Sequence, residues 1–518
     1  MAARSIMIHE AKDIHPKTTI DADVLVIGSG AGGAVVATEL AEAGRSVAVL
    51  EEGGYYPATK FTQREDDMFG LLMGRQGPDW TEDYAVNFAY DKAVGGSTNS
   101  YWADSFRAPE DRIDKWAEEF GLREFTAATL DPHFRKTAQK AGISRVPDHV
   151  VNKNNRKFAA AAGKLGWSAP RIERAAHNCI GSGFCELGCA YSAKGLSFSY
   201  LPRGLARGLD IFADCRADRF LMRDGRLQEV TAHVLDRATG KPRHEIRARG
   251  RVVVVACGGL GSPYLLLKNG IGGPTGKTLY WNPHLPVFCL YDEPMYSYAG
   301  VPCAHHLDEF RLVRTHPDGS YKEGGFTSLC GFVHPGSFGG TTTPWGTTFQ
   351  RMMDAFYRMG GSVSVIDDEE PGTVRVGAKG ERVIEVWFGP KDKLKARDYF
   401  RKMATLFLAA GATEVYLPDV DWTTVRSERD LPVIDRLSIE PQTLMVSAAH
   451  LMGTCRMGED PQRAVVNSYC RAHAVPNLFI TDASALPTSV SVDPSWTIMT
   501  IASRAADYIA NNWAVLRA

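Results

Sequence analysis

The sequence predicts a mixed α/β protein. A Rossmann-like nucleotide-binding unit carrying a β-meander is interrupted by a second unit, an antiparallel sheet flanked by helices. Three observations carry this. The apolar run Asp23-Val-Leu-Val-Ile27 leads into the glycine turn Gly28-Ser-Gly-Ala-Gly-Gly33 and a helical pattern from Ala34 to Ala43. Short alternating strands fill 209–250, separated by the turn dipeptides Asp224-Gly225 and Thr239-Gly240. Near the C-terminus, an apolar strand (Leu478 to Thr481) and a helix start at Asp493-Pro494 return as the missing pieces of the first unit.

The elements follow in order. The polar stretch to Ile20 is an arm or edge strand. A Rossmann unit occupies 21–55, its second strand Val47-Ala-Val-Leu50 ending at Glu51 and Glu52. Asp91-Lys-Ala-Val-Gly-Gly-Ser-Thr-Asn-Ser-Tyr-Trp102 is a second glycine turn, suited to meeting phosphate or ring edges with backbone N–H groups. Residues 110–205 read as mostly helical and contain three closely spaced cysteines. After the meander, Arg251-Val-Val-Val-Val-Ala256 is a buried strand entering Gly258-Gly-Leu-Gly-Ser-Pro263. Strand candidates between 280 and 440 include Gly325 to Val333, Thr373 to Val376 and Val383 to Phe388. The expected division is 1–110, 205–285 and 440–518 for the nucleotide-binding unit. The second unit takes 111–204 and 286–439, with the cysteine-containing loop at 179–194.

Composition narrows the class. A chain of 518 residues has room for two or more sizeable cores. Its net charge of -1 offers no basic excess, which argues against a nucleic-acid partner. Apolar runs such as Val252 to Cys257 have strand length, too short for a transmembrane segment. The N-terminus lacks the apolar core of a secretory signal. Ten cysteines without such a signal point to reduced thiols or metal ligands. The expectation is a cytoplasmic enzyme, its oligomeric state open.

Glycines at 28, 30, 32 and 33, with Ser29 and Ala31 between them, let the backbone approach a pyrophosphate resting on a helix N-terminus, and Glu51 can take ribose hydroxyls. The fingerprint announces a dinucleotide without separating NAD from FAD. His450, just ahead of the turn Leu-Met-Gly453, is by itself an ordinary histidine.

Four ordered segments together resemble the glucose–methanol–choline (GMC) oxidoreductases. These are Gly28 to Gly33 with Leu50-Glu-Glu-Gly53, Val94-Gly-Gly-Ser97, Gly258 to Gly272, and His450 with Asp482-Ala-Ser484 and Asp493-Pro-Ser-Trp-Thr497. The resemblance implies FAD rather than NAD, oxidation of an alcohol, and an electron acceptor that is oxygen or another molecule. It implies His450 as general base with Asp493 beside it. Flavin contacts are implied at Glu51, Glu52, Val94, Gly95, Gly96, Ser97, Asn99, Ala217, Asp482, Ala483, Pro494 and Thr497. Cys179-Ile-Gly-Ser-Gly-Phe-Cys185-Glu-Leu-Gly-Cys189, Ile366-Asp-Asp368 and Ala410 to Val415 resemble a cysteine-containing branch with long-chain alcohol oxidases and bacterial sugar dehydrogenases. Within it, Cys179, Cys185 and Cys189 are either iron–sulfur ligands or three thiols in a glycine-rich loop. Two departures stand out: Asp493 where relatives carry asparagine or a second histidine, and Ser182 where some place a further cysteine.

Imidazole suits the base because its ordinary pKa lies near neutrality. Asp493, as an N-cap, would hold the last helix against the flavin, and as an ionised neighbour would favour protonated His450. The alternatives are a non-redox, FAD-holding lyase and the catalytic subunit of an iron–sulfur electron-transfer complex. His305-His306 lacks a third metal ligand and reads as surface or pocket wall. Aromatics between Tyr280 and Tyr357 point to a largely apolar pocket.

Overall fold

The structure, a computed structural model, describes residues 7–73, 78–340 and 342–517. One large sheet organises the nucleotide-binding side. Across it run Met7–His9, Asp210–Phe212, Val47–Leu50, Thr19–Ile27 and Pro242–Val255, all parallel. Pro242–Val255 is long enough to serve two neighbours on its far edge. Its first half pairs antiparallel with Arg226–Leu235, which pairs with Cys215–Arg223 to complete the meander. Its second half pairs parallel with Leu478–Ile480. The C-terminal strand thus closes a sheet begun more than 450 residues earlier, as the sequence pattern requires.

The valine-rich runs Val24–Ile27 and Val252–Val255 are buried on both faces, the pattern of a sheet covered by helices on either side. The helix Ala31–Glu42 packs against Ser495–Asn511. Between them Ser503 Oγ donates to Glu39 Oε2 at 2.9 Å, satisfying a carboxylate that Lys136 also pairs. The helices Glu110–Phe120 and Ala127–Ala141, grouped with the second unit in the sequence reading, bury Trp116, Phe134 and Ala141 in this same first core.

A second core surrounds a six-stranded sheet in the order His306–Leu307, Phe326–Cys330, Met359–Ile366, Pro286–Leu290, Glu414–Tyr416, Thr424–Val425. The 20-residue helix Pro390–Ala409 lies on it through Tyr399, Phe400, Met403 and Phe407. Every pairing in this sheet is antiparallel. None of the described helices is long and apolar enough to cross a membrane.

Candidate active site

Between the two cores lies a cavity of about 1300 Å³. Its floor is the glycine turn. Gly28 has φ +94°, and a Cβ there would sit 2.3 Å from Ala256 O; one on Gly32 would sit 2.0 Å from Thr481 O. These two glycines let neighbouring backbone close in. Gly30 differs: a Cβ there meets nothing nearer than Gly96 Cα at 3.9 Å, so its open face belongs to the cavity. That division of labour, close packing by some glycines and an open cradle at another, fits a pyrophosphate on the N-terminus of Ala31–Glu42.

Glu51 closes the cradle. Its Oε2 accepts from Ser29 N (2.9 Å) and Ser29 Oγ (2.6 Å), and its Oε1 from Gly53 N (2.8 Å). Burial outweighs these hydrogen bonds and pushes its carboxyl up to about 7. Ser29 Oγ in turn accepts from Gly95 N at 3.0 Å, joining the two glycine turns.

The residues expected at the cofactor divide into two groups. Gly28, Ser29, Gly30, Ala31, Gly32, Glu51, Glu52, Gly96, Ser97, Ala217, Asp482, Ala483 and Pro494 line the cavity, as do His450 and Asp493. Gly33, Val94, Gly95, Asn99 and Thr497 are not part of that lining. Gly33 packs under the turn, where a Cβ would meet Gly28 O at 2.0 Å. Asn99 braces the second turn, donating through Nδ2 to Val94 O and Gly96 O. Asp482 lines the cavity with both oxygens engaged: Oδ2 by Gly258 N and Ser262 Oγ, Oδ1 by Ser484 N and Oγ. It ties the start of the helix Gly258–Lys268 to the turn that follows Leu478–Ile480.

In the lining of the same cavity His450 Nε2 stands 3.1 Å from Asp493 Oδ1. The expected N-cap role of Asp493 is not what the structure shows. The last helix begins at Ser495 with Pro494 at its cap and no side-chain cap bond, because the Asp493 carboxylate turns toward the imidazole. Beyond His450, Nε2 of His284 lies 3.2 Å from His450 Nδ1, the rings edge to face with centroids 4.6 Å apart. Sequence reasoning missed His284. Nothing local marks Trp281-Asn-Pro-His284; a backbone bridge between His284 and Ser447 brings it beside His450.

Four side chains lining the cavity keep buried oxygens without hydrogen-bond partners: Asp91 Oδ2, Tyr101 OH, Asp104 Oδ1 and Asp493 Oδ2. Buried polar atoms are ordinarily satisfied, so their convergence fits a large polar ligand such as FAD. Asp104 lies opposite Arg174 in paired strands. Burial, with Asp493 adding and Arg174 opposing, pushes its carboxyl up to about 8. A second unforeseen residue is Arg382. It reaches the cavity from the strand Arg382–Glu385, donates to Tyr90 OH at 2.5 Å and pairs with Asp79.

Cys179, Cys185 and Cys189 do gather, but around two cations. Arg174 Nη2 donates to Cys185 Sγ at 3.1 Å, and Ala193 N donates to Cys189 Sγ at 3.3 Å. Buried Lys194, which donates to Asn99 O, is flanked electrostatically by Cys185 and Cys189. The space the three thiols share is about 20 Å³, room for roughly one water. Among the described residues no group of three His, Cys, Asp or Glu is placed to hold a metal. The arrangement gives the iron–sulfur reading no support: it sets Arg174 and Lys194 among the three thiols. His305 is likewise no ligand, its Nδ1 lying 2.9 Å from Ala169 O.

Fold and site together define a dinucleotide-type cavity with an imidazole–carboxylate pair in its lining. Sequence profiles of the GMC oxidoreductase family match residues 22–283 and 371–502, and the chain belongs to that family of FAD-dependent oxidoreductases. It is 32% identical over 493 residues to an uncharacterised GMC-type oxidoreductase of Mycobacterium tuberculosis, covering 94% of this chain and 75% of that protein. A long-chain-alcohol oxidase of Arabidopsis thaliana is 28% identical over 527 residues, covering 94% and 68% respectively. Among solved structures, pyridoxine 4-oxidase from Mesorbium loti superposes with a TM-score of 0.70 at 18% identity, covering 94% of this chain and 98% of that one.

Proposed function

We propose that this enzyme oxidises a CH–OH group to a carbonyl, with His450 as the general base. The observation that supports this most is the placement of His450 and Asp493, 3.1 Å apart, on the wall of the cavity whose floor is the dinucleotide cradle. FAD, when bound, supplies the hydride acceptor at its N5 position. The residues of the chain do the rest. Gly28 to Gly32, Glu51 and the turn at Gly96-Ser97 hold the nucleotide end. His450 receives the hydroxyl proton, and Asp493 Oδ1 stabilises the resulting imidazolium through a charge-assisted hydrogen bond. Asp104, its carboxyl pushed up to about 8, stays protonated at neutral pH and adds no second negative charge beside Asp493.

Phe288, Leu329, Phe332, Val333 and Val363 contribute an apolar wall to the cavity. Such a wall excludes water and suits a hydrocarbon substituent, so the substrate class is a bulky primary or secondary alcohol, in line with the alcohol-oxidase relative. Oxygen or another acceptor then takes the electrons. The test is an anaerobic panel of aliphatic and aromatic alcohols and sugars, scored by loss of flavin absorbance. Bleaching by an alcohol supports the reading. Conversion of substrate without bleaching overturns it in favour of a non-redox lyase.

A further inference from the structure

The imidazole of His450 is contacted at both ring nitrogens, yet only the partner at Nε2 has entered the proton transfer so far. The other partner, His284, is held too firmly for its contact to be incidental. Its N–H donates to Ser447 O at 2.9 Å and its carbonyl accepts from Ser447 N at 3.2 Å, fixing it to the segment that carries His450. The preceding Asn282 is pinned as well: its N–H donates to Asp368 Oδ1, and its Nδ2 donates to Ile366 O and to Ser489 Oγ. Across this frame the two rings meet edge to face, Nε2 of His284 against Nδ1 of His450 at 3.2 Å.

We propose that His284 is a positioning residue for proton transfer: a neutral imidazole that accepts Nδ1–H of protonated His450. The inference rests on the alcohol-oxidation reading above. Once His450 has taken the hydroxyl proton, its ring carries two N–H groups, and each needs an acceptor. Asp493 Oδ1 takes Nε2–H, and the lone pair on His284 Nε2 takes Nδ1–H. This works only while His284 is uncharged. Burial, with the charge of His450 adding, holds it well below the ordinary histidine range, so it remains neutral where the enzyme works. Before the transfer, neutral His450 already keeps its one proton on Nδ1, donated to His284, so the Nε2 lone pair on the Asp493 side is the one open to the hydroxyl proton. A lysine in place of His284 has no lone pair to accept Nδ1–H.

The charged groups around the pair are few. Asp493 faces His450, Asp104 and His306 lie beside Asp493, and His450 is the ionisable group that acts on His284. None competes for Nδ1. Removing His284 therefore leaves one N–H of the imidazolium without an acceptor, and the proton binds His450 less tightly.

The test uses flavin-loaded wild type, His284→Leu and His284→Gln, the last keeping a carbonyl acceptor. One readout is the ¹⁵N imidazole titration of His450, assigned by its loss in His450→Gln. The other is the rate and pH profile of anaerobic flavin reduction by 1-octanol. The proposal expects His284→Leu to move the His450 titration and the acid limb of the profile to lower pH by about one unit. It expects the reduction rate to fall about 10–100-fold with little change in apparent substrate affinity, and His284→Gln to restore most of both. A His450 titration in His284→Leu that is unmoved, or moved upward, overturns the proposal. So does equal damage from the Leu and Gln variants. Should 1-octanol fail to reduce the wild-type flavin, the ¹⁵N titration alone decides. If His450→Gln reduces flavin at the wild-type rate, the base assignment fails, whereas an inert His450→Gln beside a normal His284→Leu sinks only the present inference.

Discussion

Replacing Asp493 by asparagine removes one negative charge and almost no volume. The carboxylate lies 3.1 Å from His450 Nε2, with the two side chains only 12% and 15% exposed. At an effective dielectric constant of about 20, a full charge pair at that separation is worth roughly 5 kcal/mol, an upper bound before desolvation is counted. The amide introduced by Asp493→Asn would keep a hydrogen bond, so the net loss of imidazolium stabilisation is about 1.5–3 kcal/mol. Each 1.36 kcal/mol is about one pH unit. The sign follows from which form the carboxylate favours. It favours protonated His450, so removing it lets the basic form persist to lower pH. In stopped-flow anaerobic flavin reduction, the acid limb of the Asp493→Asn profile should sit about one to two units below wild type. The same loss of negative charge should raise the flavin midpoint potential, on the scale of roughly 30 mV per 1.4 kcal/mol for two electrons. An acid limb that stays put or moves up, or a potential that is unchanged or lower, refutes the reasoning.

Further outcomes are expected elsewhere in the cavity. Gly30→Ala should fold and melt like wild type yet purify without flavin, since its Cβ meets only the cavity; Gly32→Ala, aimed at Thr481 O at 2.0 Å, should fail to fold, and absorbance ratios with circular dichroism separate the two cases. Glu51→Ala strips three donor groups of their acceptor and should weaken FAD binding about 10–100-fold in a fluorescence titration. Asp104 carries a folded-state pKa of about 8 against an ordinary value near 4, so its contribution to stability is complete below about pH 4 and is lost as pH rises through 8. In flavin-stripped protein, Asp104→Asn should therefore gain in Tm relative to wild type as pH rises from 5 to 9, by a few degrees; a pH-independent difference contradicts this. Protein prepared anaerobically should contain no stoichiometric iron or acid-labile sulfide.

Sequence and structure agree best where the chemistry is local. Gly28 to Gly33 and Glu51 occupy consecutive elements of one βαβ unit, so their spacing alone sets the cradle. Leu478–Ile480 was legible because a buried strand and a helix start had no partner nearby. Long-range geometry was not legible. His284 reaches His450 across 166 residues through a two-hydrogen-bond bridge to Ser447, and no local pattern encodes that pairing. Asp493 satisfied the residue preference for a helix cap, yet the stronger demand of an imidazole 3.1 Å away turned its carboxylate aside. The cysteine triplet shows the reverse failure. Its spacing looks like a ligand set, but Arg174, on the short strand Glu173–Ala175 just before the loop, and Lys194 at the end of the loop bring positive charge among the thiols, which the cysteine spacing by itself does not show.

The base assignment at His450 is tested most directly by anaerobic single-turnover flavin reduction in His450→Gln, with the alcohol that bleaches wild type fastest. Loss of the general base should slow reduction by about 10²–10⁴-fold while FAD content and melting temperature stay as in wild type. Flavin-replete His450→Gln reducing its flavin at an undiminished rate would contradict the account.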